Sequence, residues 1–581
     1  MNSRTTPWLW LSFLLLVLPT TVRAGDITRY LPEDALGFVL IRNLDEANSK
    51  INKLIRTYEL PLPALLDFIK SATGLGGGIN MQGNILIALL PAENPSSDLV
   101  PMVLLPITDY RKFATSVKGD VSGEICRVSI AEEDVLIAKE DDFALLMNIE
   151  HRETLELLLG LEPEPVVDLH PIDAWQSETD VMIALMPTGL KMLLRQGQDA
   201  LAQQRVQLEQ QLEKPQIAAL GHQMKKNLET SEWMLSLVGS HLQLAAVGMR
   251  IDSQNNLHLG KRLVLKKDSS LVQKTPPLAT HILPLAGFAN QPFVLAGGGP
   301  LPQDWVDTWA SFTRKMMERM SEIYGLEDLP PDQWNELEEV YRGMMVGMDN
   351  FSSIMLPGEE GQPLFSNIYG IAKVQDAEQY VQNYMKSTEL WNAITAQSTS
   401  DILLVREVHP KEVDGAKGCE IVVDVDDAAS DPNVPIFNWM LKSMFGEGGK
   451  MHQLLLAIDQ NTLVYTMGEE EDILPLMQQV RHNEMGLSNN SAVQVTVALL
   501  QDDAPWILLI SPSGCVRWTD RLMKEILVHL REGSVTIPEF DSCPPIGVSV
   551  GLNQRRLECD MVWPAETLQA LAVYIKKCKN L

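Results

Sequence analysis

The residues of this chain best spaced for chemistry are acidic. Asp424, Asp426 and Asp427, followed by Asp431, place carboxylate oxygens as a loop holding a hard divalent cation would. The run lacks the glycine at the sixth position and the closing glutamate of an EF-hand, so these four aspartates are metal-site candidates without a defined loop type. A second acidic run, Glu469-Glu470-Glu471-Asp472, opens a helical pattern, where negative charge complements the helix dipole. Three glycine-rich stretches, at 74–78, 297–299 and 446–450, invite comparison with phosphate cradles. None has the dinucleotide or P-loop spacing, and in the third Met451 stands where a serine or threonine would hold magnesium. They read as turns. No G-x-S-x-G, S-x-x-K or H-E-x-x-H is present, and the 10 histidines are scattered singly. No catalytic residue and no cofactor is assigned.

Cysteine use bounds the redox chemistry. Cys126 and Cys419 stand alone, whereas Cys515, Cys543, Cys559 and Cys578 fall close to the end of the chain. Those four allow three pairings, so one or two local bridges, or buried thiols, are expected there. No C-x-x-C pair supports zinc. Two helical stripes are rich in tryptophan and methionine. One holds Trp305, Trp309, Phe312, Met316, Met320 and Ile323, the other Trp334, Leu337, Tyr341, Met344 and Met348. Such stripes suit an apolar ligand or a partner helix, but mutual packing into a core is the simpler expectation.

Compartment is read from residues 1–24. Arg4 supplies a positive start, and Trp8–Leu18 is an apolar core of about a dozen residues, short of the roughly 20 that span a bilayer. Val22-Arg23-Ala24 then resembles a cleavage site, and the whole predicts a secretory signal peptide. The mature protein is expected to be periplasmic or secreted, with no transmembrane segment after cleavage. Formal charge over the 581 residues is −29, and loss of Arg4 and Arg23 makes it −31. That balance disfavours nucleic acid and anionic lipid as partners. An apolar fraction of 45% with 21% charged residues is that of a globular chain with large cores.

The elements that must carry these residues recur in a fixed order. Gly37–Ile41 predicts a buried strand running into an amphipathic helix capped by Asn43. Similar strand starts are expected near Val181, Phe293 and Val495. Between them, Thr108 is expected to cap a short helix at 109–117 that bears Phe113 and Val117, matched by Gln375-Asp376 with Tyr380 and Tyr384. In the strand at 257–265, Leu257, Leu259, Leu263 and Leu265 alternate with polar residues. The predicted architecture is α+β: antiparallel sheets covered by helices and helical hairpins, in two similar halves. Its boundaries are a signal peptide at 1–24, a first half at 25–273, a linker at 274–285 around Lys274-Thr275-Pro276-Pro277, and a second half at 286–581.

The opening LPEDALGFVLIRNLDE, the segment QPFVLAGGGPLP and the late PPIGVSVGLNQRRLECDMVWP resemble a family of long exported bacterial proteins of unknown function that begin with an LP-x-D-type strand. The resemblance implies a bacterial envelope location and carries over no activity or catalytic residue. Three functions follow as expectations. The first is a non-enzymatic binding or scaffolding protein whose partner is another protein or an envelope component. The alternatives are a carrier of apolar ligands or lipids, and a hydrolase with an unrecognised site.

Overall fold

The computed structural model describes residues 27–579, apart from 59–76, 93–98, 121–122, 131–132, 160–168, 213–217, 273–284, 302, 304–305, 308–309, 312, 316, 318–330, 360–361, 397–405, 425–449, 501–503 and 531–536. The leader, the Lys274–Pro277 linker and the named residues of the first tryptophan–methionine stripe lie outside the described residues. The chain divides into two compact units. One comprises Met1–Ala200, Leu235–Val272 and Arg555–Asp560; the other comprises Leu201–Met234, Gln273–Gln554 and Met561–Leu581. The content is mixed α and β, and every strand pairing with a defined register is antiparallel.

In the first unit the elements are β1 (Gly37–Ile41), α1 (Leu44–Tyr58), β2 (Ile85–Leu90), β3 (Val100–Pro106), α2 (Tyr110–Ser116), β4 (Ile125–Ile130), β5 (Glu133–Glu140), β6 (Phe143–Asn148), α3 (Arg152–Leu159), α4 (Asp173–Glu178) and β7 (Val181–Leu185). The helical pair α5 (Pro187–Leu212) and α6 (Ala218–His241), whose residues 201–234 belong to the other unit, leads to β8 (Leu242–Ile251) and β9 (Leu257–Leu265). The strands lie in the order β4-β5-β6-β3-β2-β1-β7-β8-β9. A single row of paired residues crosses eight of them: Cys126, Ile137, Leu146, Val103, Ile87, Val39, Ile183 and Val247.

Central strand β1 is buried at all five positions. Its side chains alternate between two cores, Phe38 and Leu40 on one face, Val39 and Ile41 on the other. A strand covered on both faces reads as an unbroken apolar run, as Gly37–Ile41 does. Asn43 starts α1 by accepting the Glu46 N–H at 3.2 Å, and the helix buries Leu44, Ala47 and Ile51. The cap of α2 is Asp109 and not Thr108. The Asp109 carboxylate accepts the Lys112 N–H at 3.0 Å, while Thr108 donates to the Gly78 carbonyl.

The second unit holds β10 (Leu295–Pro300), α7 (Pro331–Val346), β11 (Met348–Met355), β12 (Ile368–Val374), α8 (Ala377–Thr395), β13 (Arg406–Val413), β14 (Ala416–Asp424), β15 (Lys450–Asp459) and β16 (Thr462–Thr466). These are followed by α9 (Glu470–Arg481), α10 (Ser491–Val497), β17 (Trp506–Ile510), α11 (Pro512–Leu530), β18 (Ile546–Asn553), β19 (Arg556–Trp563), of which residues 556–560 belong to the first unit, and α12 (Ala565–Lys579). Strands β13 to β18 and β10 to β12 run in the order β13-β14-β15-β16-β12-β11-β10-β17-β18. A row of paired residues crosses eight strands here too: Cys419, Leu455, Tyr465, Gly370, Ser353, Gly297, Leu508 and Val548.

Three expectations fail in this unit. The run at 493–500 is no strand: Asn490 accepts the N–H groups of Ala492 and Val493, and α10 buries Val493 and Thr496 three residues apart. Its alternating valines fit a period of two, but the cap and the three-residue spacing prevail. The strand position belongs to Trp506–Ile510 instead. Gly297–Gly299 form no turn; they lie inside β10, where a Cβ on Gly297 or Gly299 would overlap the backbone of the neighbouring strand. Met348 is not helical either, because α7 ends at Val346 and Met348 opens β11. The rest of that stripe packs as a core, with Trp334 and Leu337 of α7 buried against Ile394 of α8. The acidic run at 469–472 does open a helix, as a capping box between Glu469 and Asp472.

Candidate functional site

The aspartate candidates do not come together in what can be described. Asp424 ends β14, its backbone paired with Lys450, whereas Asp426, Asp427 and Asp431 lie outside the described residues. Among the described residues no group of three or more His, Cys, Asp or Glu side chains is placed to hold a metal ion. All six cysteines are unpaired; of the two expectations near the end of the chain no bridge is formed, and Cys515, Cys543 and Cys559 are half-buried thiols while Cys578 is exposed. Cys126 and Cys419 are buried, and the Tyr110 hydroxyl lies 3.5 Å from the Cys126 sulfur while donating to the Ile137 carbonyl.

An open depression of about 410 Å³ lies on the first unit, lined by Thr108, Asp109, Tyr110, Lys139, Asp141 and Asp142 among others. Two of its carboxylates are already engaged. Asp109 caps α2, and Asp141 accepts from the Tyr30 hydroxyl at 2.6 Å and from Arg29 at 3.1 Å. The arrangement fixes Tyr30 and Arg29 and brings no nucleophile to a base.

Two buried charged groups were not legible as such. Asp180, just before β7, is fully buried; its Oδ2 accepts the Ile251 N–H at 3.0 Å and its Oδ1 has no hydrogen-bond partner. Burial pushes its pKa up to about 9, against the opposing pull of Lys50 and the Ile251 N–H. Arg42, at the end of β1, is 2% exposed and donates to the carbonyls of Gln176 and Ser177. Burial lowers its pKa, and the nearby Asp180 works against that.

Arg262 sits on the polar side of the alternation in β9, which predicts exposure, yet it is 3% exposed. That side is covered by Trp175 of α4 and by Asp560, not by water. The guanidinium stacks 4.7 Å from the Trp175 ring and donates to both Asp560 oxygens, at 2.8 and 3.0 Å. Gly248 and Gly260, paired across β8 and β9, leave the room that Trp175 fills. The signal was present in the sequence as an arginine within an apolar strand flanked by glycine, but its partner lies 298 residues away.

On the second unit, Glu420 of β14 accepts from His452 Nδ1 at 2.9 Å and lies 3.4 Å from Lys411, which also reaches Glu470 at 3.2 Å. Burial raises the Glu420 pKa, and the two donors more than offset that, leaving it below the usual carboxylate value. This ion-pair network ties β13, β14, β15 and α9 together. Among the described residues no helix is long and apolar enough to cross a membrane. No protein-family model, curated protein or solved structure matches the chain.

Proposed function

We propose that this chain is an exported, non-enzymatic binding or scaffolding protein of the cell envelope, built from two copies of one sheet-and-helix module. The observation that carries the reading is register. Cys126-Ile137-Leu146-Val103-Ile87-Val39-Ile183-Val247 and Cys419-Leu455-Tyr465-Gly370-Ser353-Gly297-Leu508-Val548 occupy the same successive places in strand orders that share eight strands and differ at their ends, by β9 in the first and β13 in the second. Asp109 and Asp376 cap the helix after the third strand of each in the same way, accepting an N–H three residues on. What differs is what the frame carries. The first copy places the α5–α6 pair after β7, and the second has residues 425–449 between β14 and β15, where the first needs only 131–132. A repeated frame with divergent attachments suits display and docking.

The test is expression in a bacterial host with fractionation and mass spectrometry of the mature N-terminus, followed by photo-crosslinking from exposed positions such as Val206 of α5. Cleavage before Gly25 and discrete crosslinks to one envelope partner are expected. Retention with an intact leader, stoichiometric bound lipid, or turnover in a hydrolase screen would each overturn the reading.

A further inference from the structure

Arg521 lies on α11 beneath the loop that joins β11 to β12, and is 7% exposed. Its Nη1 donates to the Pro357 carbonyl at 3.1 Å. Its Nε and Nη2 are buried and have no hydrogen-bond partner. These two nitrogens present the parallel N–H groups of the guanidinium's side edge, the fork that matches the two oxygens of a carboxylate. The Glu525 carboxylate, one turn along α11, stands 3.9 Å from Nε, beyond hydrogen-bond reach. Trp518 projects from the same face three residues earlier, and its buried indole N–H is likewise without a partner. Its ring rests against Phe365 of the loop, with centroids 6.2 Å apart. Gly358, at φ +70°, leaves the space that the Arg521 guanidinium occupies, and a Cβ there would overlap Nη1. Asn367, also buried, donates its amide N–H groups to Gln362 Oε1 and Ser366 Oγ. The cluster thus gathers three enclosed N–H donors without an acceptor on a cation held only by one carbonyl and a Glu525 carboxylate at 3.9 Å, unlike the two-pronged pairing of Arg262.

We propose that Arg521 and Trp518 form an oxyanion site selective for the carboxylate of a small organic acid, with the Arg521 fork gripping both oxygens and the Trp518 N–H adding a third bond. A monoanion is favoured over a dianion such as phosphate because Glu525 already places negative charge 3.9 Å from the guanidinium. Charge on Glu525 opposes the ligand, which makes that residue a tuning element rather than a ligand.

The test uses the full chain at pH 7 and constant ionic strength, with acetate, chloride and inorganic phosphate as probes, reading the thermal unfolding midpoint and the ¹³C line width of labelled acetate. Acetate should raise the midpoint saturably while chloride does not, with phosphate weaker than acetate. Arg521→Lys keeps the charge but not the fork and should weaken acetate at least tenfold. Trp518→Phe should weaken it several-fold, and Glu525→Gln should tighten it. An acetate response unchanged in Arg521→Lys, tighter binding of phosphate, or no saturable response overturns the proposal. So does a Glu525→Gln protein that is less stable and indifferent to acetate, since the fork would then belong to Glu525. If Arg521→Lys fails to fold, the Trp518→Phe comparison and the wild-type line widths decide alone.

Discussion

A charged side chain placed inside a protein must find a counter-charge, a proton or a cost. Arg262 finds the first and Asp180 the second. In the Arg262 pair, Asp560→Ala would leave a guanidinium 3% exposed without its carboxylate. A loss of about 3–5 kcal/mol is expected by denaturant unfolding, in keeping with the removal of one partner of a buried pair. Asp180 behaves differently. Its folded pKa, near 9, lies above the unfolded value of 3.8, so the native state holds the proton more tightly. Its contribution is complete below the unfolded pKa and declines as pH rises toward 9, by up to about 1.4 kcal/mol per pH unit. Asp180→Asn should therefore flatten the pH dependence of stability between pH 5 and 9 and raise stability at the alkaline end, as a melting series across that range would show. The sequence showed Arg262 only as an arginine in an apolar strand, because alternation reports which side a residue faces and not what covers that side, and Asp180, just before β7, lies outside any such pattern.

Elements were more legible where short-range chemistry decides them. Asn43, Asp376 and the Glu469–Asp472 box each start a helix through a side chain a few residues away, and such signals lie within one window of sequence, though at α2 the sequence reading falls one residue early, on Thr108 for Asp109. Asp109→Ala and Asp376→Ala should each cost about 1 kcal/mol, measured as separate shifts in denaturant midpoint, and nearly equal costs would reflect the equal geometry of the two caps. Legibility fails where a pattern serves two periods or where the neighbours decide. The run at 491–500 fits a strand as well as a helix until Asn490 is considered, and a triple glycine reads as a turn unless two flanking strands are known to press on it. Strand β13 was missed altogether. Its sequence REVHPKEV has five exposed or half-exposed polar residues and a proline, which its place at a sheet edge tolerates.

At the scale of the whole molecule, order along the chain was readable and closure was not. The succession of strands, short helices and hairpins follows from periodicity, whereas the assignment of residues 555–560 to the first unit depends on pairings across nearly three hundred positions. Arg555 donates to the Leu265 carbonyl at 2.9 Å and Arg556 to that of Pro171 at 2.6 Å, so the segment is bound at several points. Nascent chains arrested before residue 555 should leave β8 and β9 open to protease, and chains arrested past the end of β19 and clear of the ribosome should protect them; equal protection in both would show that the segment is dispensable. The late segment also sets a timetable. A unit that takes in residues 555–560 closes only after they are made, since the long loop must close before its contacts repay the lost freedom. For as long as residues 555–560 are missing, Arg262 lacks its carboxylate and the Leu265 carbonyl its donor, so the first unit is left ajar.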